Sequence, residues 1–582
     1  MTAEQLHDLR HSLAHLLGAA VIELYPSAQN TIGPAIENGF YYDFDLPEKI
    51  SDTDLAKIES KMRELLKTWS TFTRKEVSAD EARVLFENNS YKLELIADLE
   101  KEGSAITVYT AGNFTDLCRG GHVADAQTIP TDCFTLERVA GAYWRGSEKN
   151  KMLTRIYGLA FESKEKLEAF STQQEEAKKR DHRKIGKEMG LFVFSDLVGA
   201  GLPLWTPKGT IIRELLNDYV WELRKARGYQ KVTIPHITKK DLYETSGHWA
   251  KYADDLFKIE TREHHLYAMK PMNCPHHTQI FDAELRSYRD MPQRYAETTM
   301  VYRDEQSGEL SGLSRVLSIT QDDAHVFCRE NQIEVEAMSI WDIIETFYST
   351  FGFELQVRFS RHNPAEMEKY MGDKDTWEKA ENALENLMKK KGVQWIDGLG
   401  EAAFYGPKID FIAHDSIGRV LQVATIQLDF NQPKNFGLTC VNEKGEREQV
   451  VMIHCAIMGS IERFMSTLIE HLAGNFPLWL SPTQVTIIPV GENQLAYAET
   501  LFEKLKTNDI RVTLNAGKDS LGKRIREAKT SKVPYVIIVG DKEITADTLT
   551  IEKRDGTKIE HISPDTFVTT LTEENNGRVL TK

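Results

Sequence analysis

Arg303, Glu305, Arg315, Gln321, Asp322, Asp323 and His325 crowd charged, amide and imidazole chemistry into one segment, residues 299–327. It reads as an apolar strand end, a basic–acidic pair, a Gly/Ser loop, and a second strand that opens at Arg315 and closes on the polar run. Val301, Val316, Leu317, Ile319, Val326 and Phe327 bracket the charges and place them on a buried hairpin. Unpaired charge is costly there, so groups held in such a place have a job. Two arginines beside an acidic–imidazole cluster suit an anionic, phosphate-bearing substrate next to an aminated one.

Other reactive residues are dispersed. Residues 7–18 have a helical period that puts His11 and His15 on one face. This His-x-x-x-His lacks the glutamate of a zinc protease, and on periodicity alone the pair reads as ordinary surface or core histidines. Cys118 and His122 repeat the four-residue spacing within Asp-Leu-Cys-Arg-Gly-Gly-His. Those four side chains could alternatively bind zinc. Cys274, His325 and His454 lie far apart, and spacing alone does not nominate them as a metal site.

The elements that must position these groups follow from pattern. Residues 1–160 alternate helices and strands, punctuated at Pro26, Gly33-Pro34, Pro47 and Gly120-Gly121. Residues 161–189, rich in Glu, Lys and Arg, predict an exposed helical connector. Ile212, Leu215, Leu216, Tyr219 and Leu223 predict a helix over 209–227 stopped at Gly228, and a strand follows to Pro235. Strand-like segments at 299–303, 315–320, 355–360, 408–413, 419–428 and 450–453 predict a large antiparallel sheet with helical insertions. From Pro482 the pattern becomes strand–helix–strand, a separate α/β domain. The expectation is an α+β multidomain chain: 1–160, a linker 161–189, 190–481 and 482–582.

Bulk properties agree. At 582 residues the chain exceeds one core. No 18-residue apolar run is present, which predicts no membrane span, and the N-terminus does not read as a signal peptide. Six scattered cysteines without a CxxC pair fit reduced thiols and a cytoplasmic location. A net charge of −16 gives no global steering toward nucleic acid, yet permits a local basic face.

Several motifs carry a family resemblance: Met-Lys-Pro-Met-Asn-Cys-Pro (269–275), Thr-Gln-Asp-Asp-Ala-His (320–325), Phe-Tyr-Gly-Pro-Lys (404–408), Thr-Ile-Gln-Leu-Asp-Phe (425–430), Gly-Ser-Ile-Glu-Arg-Phe (459–464) and the 116–122 motif. Together they resemble the bacterial-type threonyl-tRNA synthetases, a class II family, over nearly the whole chain. The resemblance implies an N-terminal α/β editing domain, a class II antiparallel-sheet catalytic core and a C-terminal α/β anticodon-binding domain. It also implies a form that starts after the family's ubiquitin-like N-terminal domain.

The implied roles follow residue by residue. Arg303 and Arg463 match the class II signature arginines on ATP, with Arg315 as a third contact and magnesium bridging phosphates. Cys274, His325 and His454 would converge as zinc ligands. One zinc per subunit would read the amine and hydroxyl of threonine, a contact that isosteric valine cannot make. Asp323 would accept from the substrate, with Met272, Gln321, Tyr405, Lys408, Gln422 and Gln427 around it. His11, His15, Lys92, Asp116, Cys118 and His122 resemble the editing pocket that hydrolyses seryl-tRNA without metal. Lys523, Arg524 and Glu543 are the implied anticodon contacts on tRNA(Thr), and the helix at 209–227 implies a homodimer. Two other expectations are an inhibitor-resistant specialised paralogue and a non-catalytic tRNA-binding regulator.

Some positions depart from the family pattern. Ile319 stands where an aromatic stacks on adenine, Ala424 and His276 stand where glycines are usual, and Cys455 replaces an arginine. Gly121 occupies a proline position, and Glu552 and Lys518 alter the anticodon domain.

Overall fold

The computed structural model describes residues 1–415, 418–578 and 580. The chain divides into two compact units, Met1–Glu175 and Glu176–Lys582.

In the first unit, helix Ala3–Leu24 starts at a capping box in which Thr2 and Gln5 exchange hydrogen bonds. Leu9, Leu13, Leu16, Leu17 and Val21 sit in a core shared with Phe40, Tyr42 and Phe44 of the strand Gly39–Asp45. That strand pairs antiparallel with Gln29–Asn30 on one side and Met152–Ala160 on the other, and Phe134–Tyr143 follows. A separate antiparallel sheet, Thr73–Val77, Ile106–Ala111 and Phe114–Leu117, delivers Asp116 and Cys118 toward the helix.

The second unit is built on an eight-stranded sheet. Its order is Gln230–Lys231, Gln293–Tyr302, Ser318–Cys328, Val451–Ser460, Val420–Asp429, Lys408–His414, Glu354–Arg361 and Trp395–Leu399. The inner pairs are antiparallel and the two outermost are parallel. Helices Pro207–Lys225, Ile333–Thr350 and Ile461–His471 bury Leu216, Trp341, Phe347 and Phe464 against one sheet face. Residues from 482 form a further sheet with its own core: Val512–Leu514, Val485–Pro489 and Tyr535–Val539 parallel, then Leu549–Lys553 and Lys558–Ile562 antiparallel. This sheet lies within the second compact unit, Glu176–Lys582.

Two expectations change. The connector expected over 161–189 is two helices, Lys164–Arg180 and His182–Met189. The second is not exposed: His182, Ile185, Gly186 and Met189 are buried, and Ile185 and Met189 join the main core. Ile185 and Met189, four apart, share the docked face, and the buried, hydrogen-bonded His182 holds the start of the helix. The expected hairpin is also longer than its apolar bracket, Gln293–Tyr302 against Ser318–Cys328, and Arg315 lies in the loop between them, half exposed.

Candidate functional site

The strand Ser318–Cys328 sorts its polar run by the two-residue alternation of a sheet. Gln321, Asp323 and His325 line a cavity of about 830 Å³. Asp322 does not share it. Its carboxylate is fully buried on the other face, accepts the backbone N–H groups of Ile457 (2.8 Å) and Met458 (3.0 Å), and pairs with buried Arg224 at 3.2 Å. The run is therefore one structural carboxylate set among three cavity residues.

His325 faces His454 directly across the strand pair, and Gln427 faces His454 from the other side. Cys274 opens helix Cys274–Asp282 and brings its thiol to the same point. The ligand atoms of Cys274, His325 and His454 lie within 4.8 Å of one another, and all three residues are buried. One ring nitrogen of each imidazole is engaged, His454 Nε2 with Asp429 (3.0 Å) and His325 Nδ1 with His277 (2.7 Å), which leaves the other for a cation. Burial holds the His325 imidazole neutral and pushes the Cys274 thiol well up. One sulfur and two imidazoles, all buried, are a fitting donor set for zinc, whose charge favours the thiolate.

The cavity continues from these donors to the expected arginines. Arg303 extends the edge of its strand, lies 5.7 Å from the Tyr252 ring centroid, and has a buried Nε with no hydrogen-bond partner among the described residues. Arg463, in the first turn of helix Ile461–His471, lines the same cavity. Arg315 lines it while paired with Glu305 and Glu309. Ile319 occupies its wall beside Val316 and Phe464.

Asp323 is held by Asn273 Nδ2 at 3.1 Å and stands 3.7 Å from His325 Nε2. Tyr405 donates its hydroxyl to Gln427, and its ring stacks on His454 at 4.8 Å. Lys408 and Gln422 converge on one carboxylate that sequence reasoning missed. Asp410 is fully buried and accepts from Lys408 (2.7 Å), Ser360 (2.7 Å), Gln422 (2.8 Å) and Arg358 (3.0 Å). Its signal was present, because Lys408 and Asp410 are two apart on a strand and share a face. His248 was missed too: it is buried, 3.2 Å from Met272 Sδ and 3.8 Å from Cys274 Sγ. Nothing in its local sequence pattern pointed there.

In the first unit the expected side chains also meet. Cys118 Sγ lies 3.6 Å from His11 Nε2 and 3.3 Å from His122 Nε2. His11 and His15 approach edge-on at 5.1 Å. Burial lowers the pKa of all three histidines, that of His122 to about 2, and raises the Cys118 thiol to about 11. Lys92 Nζ is 2.5 Å from Asp116 Oδ1, with both side chains buried, and the Tyr42 hydroxyl donates to the other carboxylate oxygen. Gly121 has φ 85°, which the proline usual at that position could not adopt. Its carbonyl lies 3.1 Å from His11 Nδ1.

The three expected anticodon residues sit in different surroundings. Arg524 is buried and donates to the carbonyls of Pro489 (2.8 Å), Asn515 (3.0 Å) and Val490 (3.4 Å), so it ties a helix to a strand end rather than facing phosphate. Glu543 spends its carboxylate on Gly540 N–H (2.9 Å) and Thr550 Oγ1 (2.7 Å), capping its own helix. Lys523 is exposed beside Asp519 at 2.9 Å and remains available to a polyanion.

Comparison with known proteins spans the same regions. Residues 257–472 match the tRNA synthetase class II core domain (G, H, P, S and T), 484–574 the anticodon binding domain, and 106–157 the threonyl and alanyl tRNA synthetase second additional domain. The threonine–tRNA ligase of Gloeobacter violaceus is 46% identical over 560 residues, covering 95% of this chain and 89% of that protein. The Thermotoga maritima ligase is 46% identical over 574 residues, covering 98% and 88%. The solved RNA binding domain of threonyl-tRNA synthetase from Cryptosporidium parvum superposes with a TM-score of 0.65 at 33% identity, over 68% of this chain and 98% of that one. One relationship thus runs through the histidine–cysteine pocket, the donor-and-arginine cavity and the C-terminal sheet alike, and the chain belongs to the threonine–tRNA ligase family.

Proposed function

We propose that this protein activates threonine with ATP, transfers it to tRNA(Thr), and hydrolyses mischarged seryl-tRNA(Thr). The observation that carries the reading is one cavity holding the Cys274, His325 and His454 donors at one end and Arg303 and Arg463 at the other. Loss of a donor or an arginine would favour a tRNA-binding protein without catalysis, and all of them are retained here.

In activation, a threonine carboxylate oxygen attacks the ATP α-phosphorus and pyrophosphate leaves. Arg303 and Arg463 neutralise the phosphate charge that shifts in this step, Arg315 adds to the field at the open edge, and magnesium enters with the nucleotide. Cys274, His325 and His454 would hold a zinc ion, which would supply Lewis-acid recognition of an amine with an adjacent hydroxyl. Asp323, fixed by Asn273, accepts a hydrogen bond from the same substrate end. Gln321, Gln427 and Tyr405 complete the polar wall, and Met272 bounds it. Valine leaves this wall without a partner and is rejected.

Serine keeps the hydroxyl and lacks one methyl, worth about 1 kcal/mol or roughly fivefold to tenfold. The first-unit pocket supplies the second discrimination. Lys92, anchored by Asp116, and the neutral histidines orient water and stabilise the oxyanion as the ester opens, without metal. Exposed Lys523 suits tRNA phosphate, a homodimer forms through the region of helix Pro207–Lys225, and six free cysteines suit the cytoplasm.

Pyrophosphate exchange with threonine, serine and valine tests activation and the zinc filter together. Strong exchange with threonine, weaker with serine and none with valine is expected. No threonine exchange from zinc-loaded protein would sink the reading.

A further inference from the structure

We infer that His182 is a positioning residue for ATP. Its imidazole ties the helix that carries Arg463 to the loop that carries Arg315. The inference rests on the reading that these arginines face ATP.

His182 opens helix His182–Met189 and is buried, far in sequence from either arginine. Leu313 donates its backbone N–H to His182 Nε2 at 3.0 Å. A backbone N–H can only donate, so Nε2 carries no proton and Nδ1 carries one. Nδ1 then donates to Glu470 Oε1 at 2.6 Å, and the backbone N–H of His182 reaches the same oxygen at 3.1 Å. The neighbours thus set a single tautomer. Glu470 is seven residues beyond Arg463 on helix Ile461–His471, and its other oxygen is held by Arg419 at 2.5 Å.

On the loop side, Leu313 is fully buried between Ser311 and Arg315, which bridge each other. Ser314 adds a 3.1 Å contact to Ser466, one turn beyond Arg463. The ring also approaches Gly312 closely. A Cβ there would fall 2.4 Å from His182 Nε2, and Gly312 has φ 50°. The loop therefore closes over this imidazole with no room for a side chain. Arg315 keeps its half-exposed place by holding Glu305 and Glu309, both on the same loop, and the Leu313 and Ser314 anchors link that loop to the helix of Arg463. No described ATP-facing side chain touches His182, so its effect is on placement rather than on the reacting atoms.

The two ring nitrogens can be separated by substitution in the full chain. His182→Asn can keep the donor to Glu470 and loses the acceptor for Leu313. His182→Gln restores an acceptor at the Nε2 position. In pyrophosphate exchange, His182→Asn is expected to raise the KM for ATP by about tenfold, with the KM for threonine within about twofold and the zinc content unchanged. His182→Gln is expected to recover most of the ATP KM. An unchanged ATP KM in His182→Asn, an equal rise for both substrates, or a His182→Gln protein as defective as His182→Asn would each overturn the inference. If His182→Asn does not fold, Gly312→Ala decides, because its methyl displaces the loop from the ring. A selective rise in ATP KM supports the link, and a wild-type value removes it. Exchange by the wild-type protein is measured first, so that failure of the ATP reading is seen separately.

Discussion

His325 and His454 stand directly opposite each other on neighbouring antiparallel strands, with ring centroids 4.8 Å apart and nearly perpendicular. Register, rather than loop conformation, sets the separation of these two donors. A slip of one residue would turn one imidazole to the other sheet face. Cys274, from a helix start, is the only donor of the three outside the sheet.

Replacing Cys274 by Ser should therefore leave the sheet intact while emptying the donor set. Metal analysis should fall from one zinc per chain to almost none, and threonine-dependent exchange by on the order of 100-fold. Retention of zinc and exchange by Cys274→Ser would contradict the assignment.

Arg303→Gln removes charge at the phosphate end and leaves the metal end alone. We expect kcat for exchange to fall by about 10²–10³, with zinc content unchanged. A drop confined to the threonine KM would place Arg303 at the wrong end of the cavity.

How far this was legible in the sequence differs between elements. The strand–helix order from Val485 to Val539 could be read because each apolar run matches one element. The donor set could not be read from spacing, because convergence of Cys274, His325 and His454 depends on which strands pair, a long-range choice; only family resemblance supplied it. Arg524 misled for the opposite reason. Its local pattern is a basic helix face, and only the tertiary fold reveals three carbonyls waiting at its tip.

That burial gives a test. Arg524→Ala leaves those carbonyls short of donors and should cost about 2–4 kcal/mol of stability, summed over the lost bonds. Lys523→Ala should leave the melting temperature unchanged and weaken tRNA binding, measured by filter retention. Equal stability for both variants would refute the structural role of Arg524.

Lys92 and Asp116 form a buried pair, so removing one partner strands the other. Lys92→Met should destabilise the protein by about 3–5 kcal/mol. Lys92→Met with Asp116→Asn should recover part of that loss while seryl-tRNA deacylation stays absent. Additive destabilisation in the double variant, or wild-type deacylation by either, would separate the pair from its proposed role.

Three histidines of the first-unit pocket, His11, His15 and His122, predict a pH response. Burial holds each below the ordinary value of 6.5, His122 at about 2. Between those limits the unfolded chain takes protons that the folded pocket refuses. Stability is therefore fully present above pH 6.5 and is lost progressively as pH falls toward 2. The melting temperature should drop between pH 7 and pH 5, and His122→Gln should flatten that drop. A profile identical to wild type in this variant would show that the imidazole is not the group responsible.

The scattering of the donors along the chain has a consequence for how the molecule is made. Every side chain of the first-unit pocket lies between His11 and His122, inside a compact unit that ends at Glu175. The other cavity lacks its third donor until His454 has left the ribosome, and no zinc site with all three donors can form on a shorter nascent chain. A chain still being translated thus owns its corrective pocket well before it owns the one whose errors that pocket removes.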